Sequence, residues 1–203
     1  MKRVEKTKLT VSKILEAAME EFGTNGYTGG TINNICKKGI NKGLIYHNFK
    51  DKDELYLACL NISCGKLLAL IDENGSIPDQ LQYMSIRMKF FKSCPLESHI
   101  FYEAILQPQD NLRDRIQEIM KPFEEINEKI YLSVISSVEL RDGVTENDAI
   151  DYFRQMQRMF NGYFSSPEYR RMTLDGQIRE HETSLPKLLD FMLFGIARGE
   201  VKK

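Results

Sequence analysis

The sequence predicts an all-α fold, and three observations carry that expectation. Apolar residues recur at intervals of three and four almost throughout, no segment sustains two-residue alternation, and clusters of Gly, Pro and Asn punctuate the helical stretches. The clusters fall at GTNGYTGG (23–30), ENGSIP (73–78), SCP (93–95), QPQDN (107–111), RDGVTEN (141–147) and SSPE (165–168). With 203 residues and 42% hydrophobic content the chain has ample material for a core, as one large domain or two modest ones. It carries no internal repeat and no low-complexity tract.

The elements follow in order. A first helix is expected from about Leu9 to Gly23, with Ile14, Leu15, Ala18 and Phe22 in one apolar stripe and Glu16, Glu20 and Glu21 off it. A short second helix begins near Thr31, puts Ile32 and Ile35 on one face, and ends by Gly39. Asn41 is a good N-cap for a third short helix over Lys42 to Asn48. Its apolar side is Leu44 or Ile45 with Phe49, which leaves Lys42, Gly43, Tyr46 and His47 outside. Asp51 with Glu54 reads as a capping pattern that opens a long helix through Leu55, Leu57, Leu60 and Leu68 to about Asp72. Residues 78–164 read as several amphipathic helices crowded with Met and aromatic side chains. The last helix is expected to start at Thr183 or Ser184 with Pro186 in its first turn, and to carry a wide apolar surface of Leu185, Leu188, Leu189, Met192, Leu193 and Ile196.

Charge is distributed unevenly although the total is only −1. Residues 1–56 hold ten Lys or Arg against seven Asp or Glu, a net of +3, and the remainder holds 18 against 22, a net of −4. A basic head on an acidic body fits a nucleic-acid binder with a separate regulatory or assembly part, although differences of this size also arise by chance. Cys36, Cys59, Cys64 and Cys94 form no CxxC pair and no Cys/His cluster at ligand spacing, so no metal site and no cofactor is expected. They read as reduced, cytoplasmic thiols, and the start MKRVEKTKLT lacks the apolar run of a signal peptide. No stretch is expected to reach the roughly twenty apolar residues of a membrane span. Cys94, near His99, is the one nucleophile candidate; nothing in the sequence supplies an orienting acid or an oxyanion hole, so no enzyme is expected.

Two short helices joined at a glycine, the second led by a capping residue, outline a helix-turn-helix. Lys42 and Lys50 can neutralise phosphates, Tyr46 and His47 can donate to phosphate oxygens, and Gly43 lets the helix approach a sugar-phosphate strand closely. The stretch ILEAAMEEF (14–22), the pair Gly26-Tyr27, Thr31, Ile35 and GINKGLIYHNFKDKDELY (39–56) together resemble the DNA-binding domain of the tetracycline-repressor (TetR) family of bacterial transcriptional regulators. One departure stands out: the run ICKKGIN is a residue shorter between Ile35 and Gly39 than the family pattern. A missing residue inside a helix rotates the downstream residues by about 100°. The second helix is therefore expected to end early or the turn to tighten, and Leu44 replaces the small polar residue the family often has.

The resemblance implies a helix-turn-helix domain over 1–52 and a helical effector-binding and dimerisation domain over 53–203. It implies phosphate contacts from Thr31, Lys42, Tyr46 and His47, with Lys50 and Lys52 nearby, and base reading by Asn41, Lys42, Gly43 and Leu44. It further implies double-stranded operator DNA as partner, bound by a homodimer, and a small, largely apolar effector in the body. For that effector the expected lining is Met84, Arg87, Met88, Phe91, His99, Tyr102, Phe123, Met156 and Phe160, with Glu103 as a further polar point. Dimerisation is expected through the last helices, with Leu185, Leu189, Met192, Leu193 and Ile196 at the interface. The alternative is a helical small-molecule carrier or interaction module that binds no DNA.

Overall fold

A computed structural model of the chain describes residues 3–73, 77 and 79–195. Among these residues the chain is helical throughout, with no strand. The helices are α1 (Arg3–Gly29), α2 (Ile32–Lys37), α3 (Lys42–Asn48), α4 (Lys52–Asp72), α5 (Gln80–Ser93), α6 (Pro95–Leu106), α7 (Arg113–Ile135), α8 (Glu146–Phe164) and α9 (Leu174–Phe194). Short 3₁₀ turns over Asp110–Leu112 and Tyr169–Arg171 precede α7 and α9.

Capping chemistry sets most of the starts. The Asp79 side chain caps α5 and the Thr145 side chain caps α8, each in a reciprocal box with Gln82 and Asp148 respectively. Pro95 opens α6 at a position whose N–H has no helical partner anyway. At α4, Asp51 Oδ1 accepts from the Glu54 N–H at 2.9 Å, while Glu54 Oε2 accepts from the Lys50 N–H at 2.5 Å, a box stretched by one residue.

α4 is the central helix and packs against α1, α6 and α7. Leu55, Tyr56, Leu60, Leu67 and Ile71 are buried along it in one core cluster that also contains Ile14 and Phe22 of α1 and Phe101 and Leu106 of α6. Large side chains sealed in this way each contribute about 1.5–3 kcal/mol, so head and body are held by shared burial across α4. By length and composition α4 is apolar enough to cross a membrane, which corrects the expectation that no stretch would be. Half of its most apolar window is buried inside the fold, as in the core helix of a packed bundle.

Two further differences from the sequence reading have local causes. The first helix runs on past Gly23 to Gly29, interrupted at Gly26, whose φ of 66° only glycine adopts without strain. The last helix starts at Leu174, capped by the Thr173 hydroxyl on the Gly176 N–H, so Pro186 lies inside it rather than in its first turn. Pro122 lies inside α7 in the same way. Each proline lacks the N–H that would bond the carbonyl four residues back, that of Glu118 in α7 and of Glu182 in α9.

Candidate nucleic-acid interface and its joint with the body

The head is built on two caps and a tight turn. Thr31 Oγ1 accepts from the Asn34 N–H at 3.1 Å and opens α2, while the Thr31 N–H and Asn34 Nδ2 both donate to Glu21 Oε1 of α1. Lys38 N and Gly39 N donate three residues back, to Ile35 and Cys36 carbonyls at 3.1 Å, so the last turn winds tightly. Gly39 then turns the chain with φ 82°. The turn is thus tight, one of the two outcomes expected, and Ile40 packs half-buried against the core.

Asn41 Oδ1 accepts from the Gly43 N–H at 2.7 Å and sets the phase of α3. The phase sends Ile45 and Phe49 into the core and leaves Leu44 45% and Tyr46 48% exposed, which decides between Leu44 and Ile45 as the inward residue. Lys42, Gly43 and His47 are exposed on the same helix, and Lys50 is exposed just beyond it. Lys42 Nζ donates to Asn33 Oδ1 at 3.2 Å across the corner, placing exposed Asn33, not among the residues expected from the sequence, beside the outward group. The signal for it was the Asn33-Asn34 pair opposite Ile32 and Ile35. Lys52 stands apart from the outward set: it is half-buried, with its ammonium 4.3 Å from the centroid of the Tyr27 ring.

Tyr27 belongs to a joint between head and body. Its backbone N–H donates to both Glu103 oxygens, at 2.9 and 3.0 Å, and the Tyr56 hydroxyl donates to Glu103 Oε2 at 3.0 Å. Its own hydroxyl donates to Asp53 Oδ1 at 2.5 Å, and Asn111 Nδ2 donates to Asp53 Oδ2 at 3.2 Å. Burial raises the Glu103 carboxyl above the ordinary glutamate range, against the pull of the Tyr27 N–H, the Tyr56 hydroxyl and Lys52. Beside it, His99 Nδ1 lies 2.8 Å from the Gly23 carbonyl and Nε2 lies 2.6 Å from Asp175 Oδ1, so one ring ties α1 to the first turn of α9. Glu103 and His99 are thus joint residues, not cavity lining as expected, and both His99 nitrogens are engaged away from Cys94. Burial pushes the Cys59 thiol up to about 12 and the Cys64 thiol up to about 11, which makes both behave as small apolar side chains.

The body holds a cavity of about 40 Å³ lined by Tyr83, Arg87, Phe123, Asn127, Phe153, His181, Leu185, Leu189 and Met192 among others. An adjoining one of about 170 Å³, between α7 and α8, shares Phe123, Asn127, Phe153, Gln157 and Asn161 with it. Of the expected lining only Arg87 and Phe123 reach these spaces. The α5 register explains part of this: Tyr83, Arg87 and Phe90 face inward, and Met84, Met88 and Phe91 form the neighbouring, half-buried stripe. Tyr102 is fully buried with its hydroxyl 3.5 Å from Arg87 Nη2, Phe160 packs on the His181 ring at 4.6 Å between centroids, and Met156 is half-buried outside the cavities. Leu185, Leu189, Met192 and Leu193, expected at a dimer interface, pack on the second core cluster of Tyr131, Ile135, Ile150 and Phe153; Leu189 is buried there and the other three are half-buried. Ile196 lies outside the described residues.

Behind the cavity is a closed ion pair. Arg87 Nε and Nη2 donate to the two Glu182 oxygens at 2.8 and 2.5 Å, and His181 Nδ1 lies 2.9 Å from Glu182 Oε1. Burial alone would push the Glu182 carboxyl up; the Arg87 charge and hydrogen bonds outweigh it and hold it at about 2. Burial lowers His181 below the usual histidine range, Glu182 opposing.

A helix-turn-helix corner with an outward third helix is carried here on an all-helical body. Residues 14–59 match the family described as bacterial regulatory proteins, tetR family. It is 30% identical over 90 residues to the HTH-type transcriptional repressor AcnR of Corynebacterium glutamicum, covering 39% of this chain and 48% of that protein. The chain thus spans about half the length of the AcnR relatives it matches. It is 24% identical over 140 residues to the fatty acid metabolism regulator protein of Bacillus subtilis, covering 65% of this chain and 71% of that protein. Its fold resembles that of FadR from Bacillus subtilis, solved in complex with stearoyl-CoA, with a TM-score of 0.61 at 19% identity over 92% of this chain and 100% of that one. It also resembles the TetR family regulator PfmR from Thermus thermophilus, with a TM-score of 0.53 at 19% identity over 92% of this chain and 96% of that one. These relatives are named as regulators, the AcnR, FadR and PfmR proteins as transcriptional ones.

Proposed function

We propose that the chain is a transcriptional repressor that binds a near-palindromic operator as a homodimer and is released by a small, largely apolar effector in the body. The observation that carries this is α3: capped by Asn41 and anchored by Ile45 and Phe49, it holds Lys42, Gly43, Leu44, Tyr46 and His47 outward on one short rigid element. Lys42, Tyr46, His47, Thr31 and Lys50 serve as phosphate contacts, and Lys42, Gly43 and Leu44 face the base edges. Asn41 spends its side-chain oxygen on the cap, leaving only its amide N–H groups for a base.

Dimerisation uses α8 and α9. On α8 the exposed Tyr152, Met159 and Tyr163 fall seven and four residues apart and so share one stripe, and on α9 Phe191 and Phe194 are exposed. A two-fold copy packed on these faces sets two α3 helices about 34–36 Å apart, one turn of duplex. Effector bound beside α5, α7, α8 and α9 acts on the head through α6 and α9, where Glu103 and His99 hold Tyr27 and Gly23. Ligand preference for the arrangement with spread heads lowers DNA affinity by the same factor. The stearoyl-CoA complex of FadR supports an effector with an apolar chain.

Selection of bound fragments from random double-stranded DNA tests the reading. A two-fold symmetric site, bound more weakly as salt rises, is expected. A carrier or interaction module would enrich no sequence and would pass through DNA resin without salt-sensitive retention.

A further inference from the structure

The polar cluster beside the cavity ends on a donor with nothing to donate to. Arg87 carries only N–H groups, so where its Nη1 lies 3.0 Å from the Tyr83 hydroxyl that oxygen must accept. The Tyr83 hydrogen is left to donate, and it goes to Asn127 Oδ1. In the structure the amide stands with its oxygen toward Tyr83 and Nδ2 away from it. Asn127 is only 4% exposed, and its Nδ2 is a buried nitrogen without a hydrogen-bond partner. Asn127 lines both cavities, with Phe153 of α8 shared between them.

We propose that Asn127 Nδ2 is the recognition point of the effector site and that it selects an uncharged carbonyl oxygen, that of an ester, thioester or amide carrying an apolar chain. This rests on the effector reading above and names its chemistry. The charge already present explains the preference for a neutral group. At the amide the neighbouring buried cation, Arg87, is already neutralised by Glu182, both of whose oxygens are taken, so a carboxylate brought to Nδ2 would be desolvated without a buried counter-charge; Arg154 and Arg158, which also line the adjoining space, are exposed to solvent. A carbonyl brings the missing acceptor at no such cost. The adjoining space of about 170 Å³ has the volume of a short acyl segment, close to the roughly 150 Å³ of an engineered cavity that admits benzene; its apolar side is Ile105, Met120, Phe123 and Phe153, with Glu124, Glu128, Arg154 and Arg158 also on its lining. A longer chain has to part α7 from α8, whose outer edge is joined by the Arg154–Glu128 ion pair at 2.7 Å.

The test is calorimetric titration of the full chain, without DNA, with methyl hexanoate labelled at its carbonyl carbon and with sodium hexanoate, read alongside the infrared carbonyl stretch of the ester. The ester is expected to bind about tenfold or more tightly than the carboxylate, with its stretch shifted to lower frequency on binding. Asn127→Leu, checked by an unchanged thermal melt, is expected to lose about tenfold in ester affinity together with the shift. The infrared shift is measured on the unaltered protein and needs no variant to fold. Hexanoate binding as tightly as the ester, an unshifted stretch, no binding of either compound, or full affinity in Asn127→Leu, as when a buried water already serves the amide, each overturns the proposal. Ester held through Asn127 with no change in operator affinity would refute the repressor reading and leave the site standing. Operator binding with no ester bound would do the reverse.

Discussion

Replacing Glu182 by Leu removes the counter-charge of a buried cation, Arg87. Arg87 and Glu182 are 3% and 5% exposed, so neither has water to fall back on. The Glu182 carboxyl sits at about 2 against an ordinary 4.5, a depression of about 2.5 pKa steps that corresponds to about 3 kcal/mol of folded-state stabilisation at neutral pH. Breaking a buried pair by removing one partner costs about 3–5 kcal/mol, which agrees in size. Because the folded value lies below the unfolded one, this contribution is complete above about 4.5 and is lost as pH falls toward about 2. Urea unfolding of the wild type, Glu182→Leu and the double variant Arg87→Met/Glu182→Leu, each from pH 7 down to pH 3, is the assay. The single variant is expected to lose about 3–5 kcal/mol at pH 7 with an unchanged denaturant slope. The double variant is expected to recover most of that loss and to decline less steeply in acid than the wild type. A single variant within about 1 kcal/mol of wild type, or a double variant no better than the single, would refute the reasoning.

Lys42→Ala is expected to weaken operator binding and to reduce the slope of log affinity against log salt by about 0.9 per lost phosphate contact, measured by gel shift across a salt series. Glu103 has the opposite pH sense to Glu182: its folded value is raised, so it favours folding most at low pH and less as pH climbs through that value. Glu103→Gln keeps an acceptor for the Tyr27 N–H, and urea midpoints are expected to show stability within about 1 kcal/mol of wild type at pH 7, without that decline. Gly26→Ala puts a Cβ 2.7 Å from Glu103 Oε1 at a φ of 66°, and a thermal melt is expected to register a loss of about 1–2 kcal/mol or more together with weaker DNA binding. Met159→Glu with Tyr163→Glu charges the exposed α8 stripe, and sedimentation is expected to show a dimer for the unaltered chain and a monomer for the variant.

What the sequence disclosed was local, and what it withheld was long-range. Thr31, Asn41 and Asp51 announce helix starts because a cap acts over two or three residues, and the head followed from them. The choice between Leu44 and Ile45 needed only the phase that the Asn41 cap imposes. Glu103 and His99 were read as cavity groups because nothing in the chain shows that each meets a partner 76 residues earlier, Tyr27 and Gly23. Pro186 misled in a different way: a proline suggests a first turn, and the true start at Thr173 is marked only by a hydroxyl three residues before Gly176. Leu185, Leu189 and Met192 are apolar enough for any interface, and only the packing of α9 on Tyr131 and Phe153 turns them inward.

The two helices with a proline in their interior are also two that wall the cavity, and in α9 the carbonyl left without its rung belongs to Glu182 itself. Bending a regular helix breaks ladder bonds, whereas here one bond in each wall was never formed. Below its gap α9 is fastened by Gln177, His181 and Glu182, and above it the helix carries Leu189 over the cavity and Phe191 and Phe194 outside. A guest that swells the cavity therefore meets least resistance by tilting the upper half of α9, which moves the exposed aromatic rings while the stitched lower half stays in place.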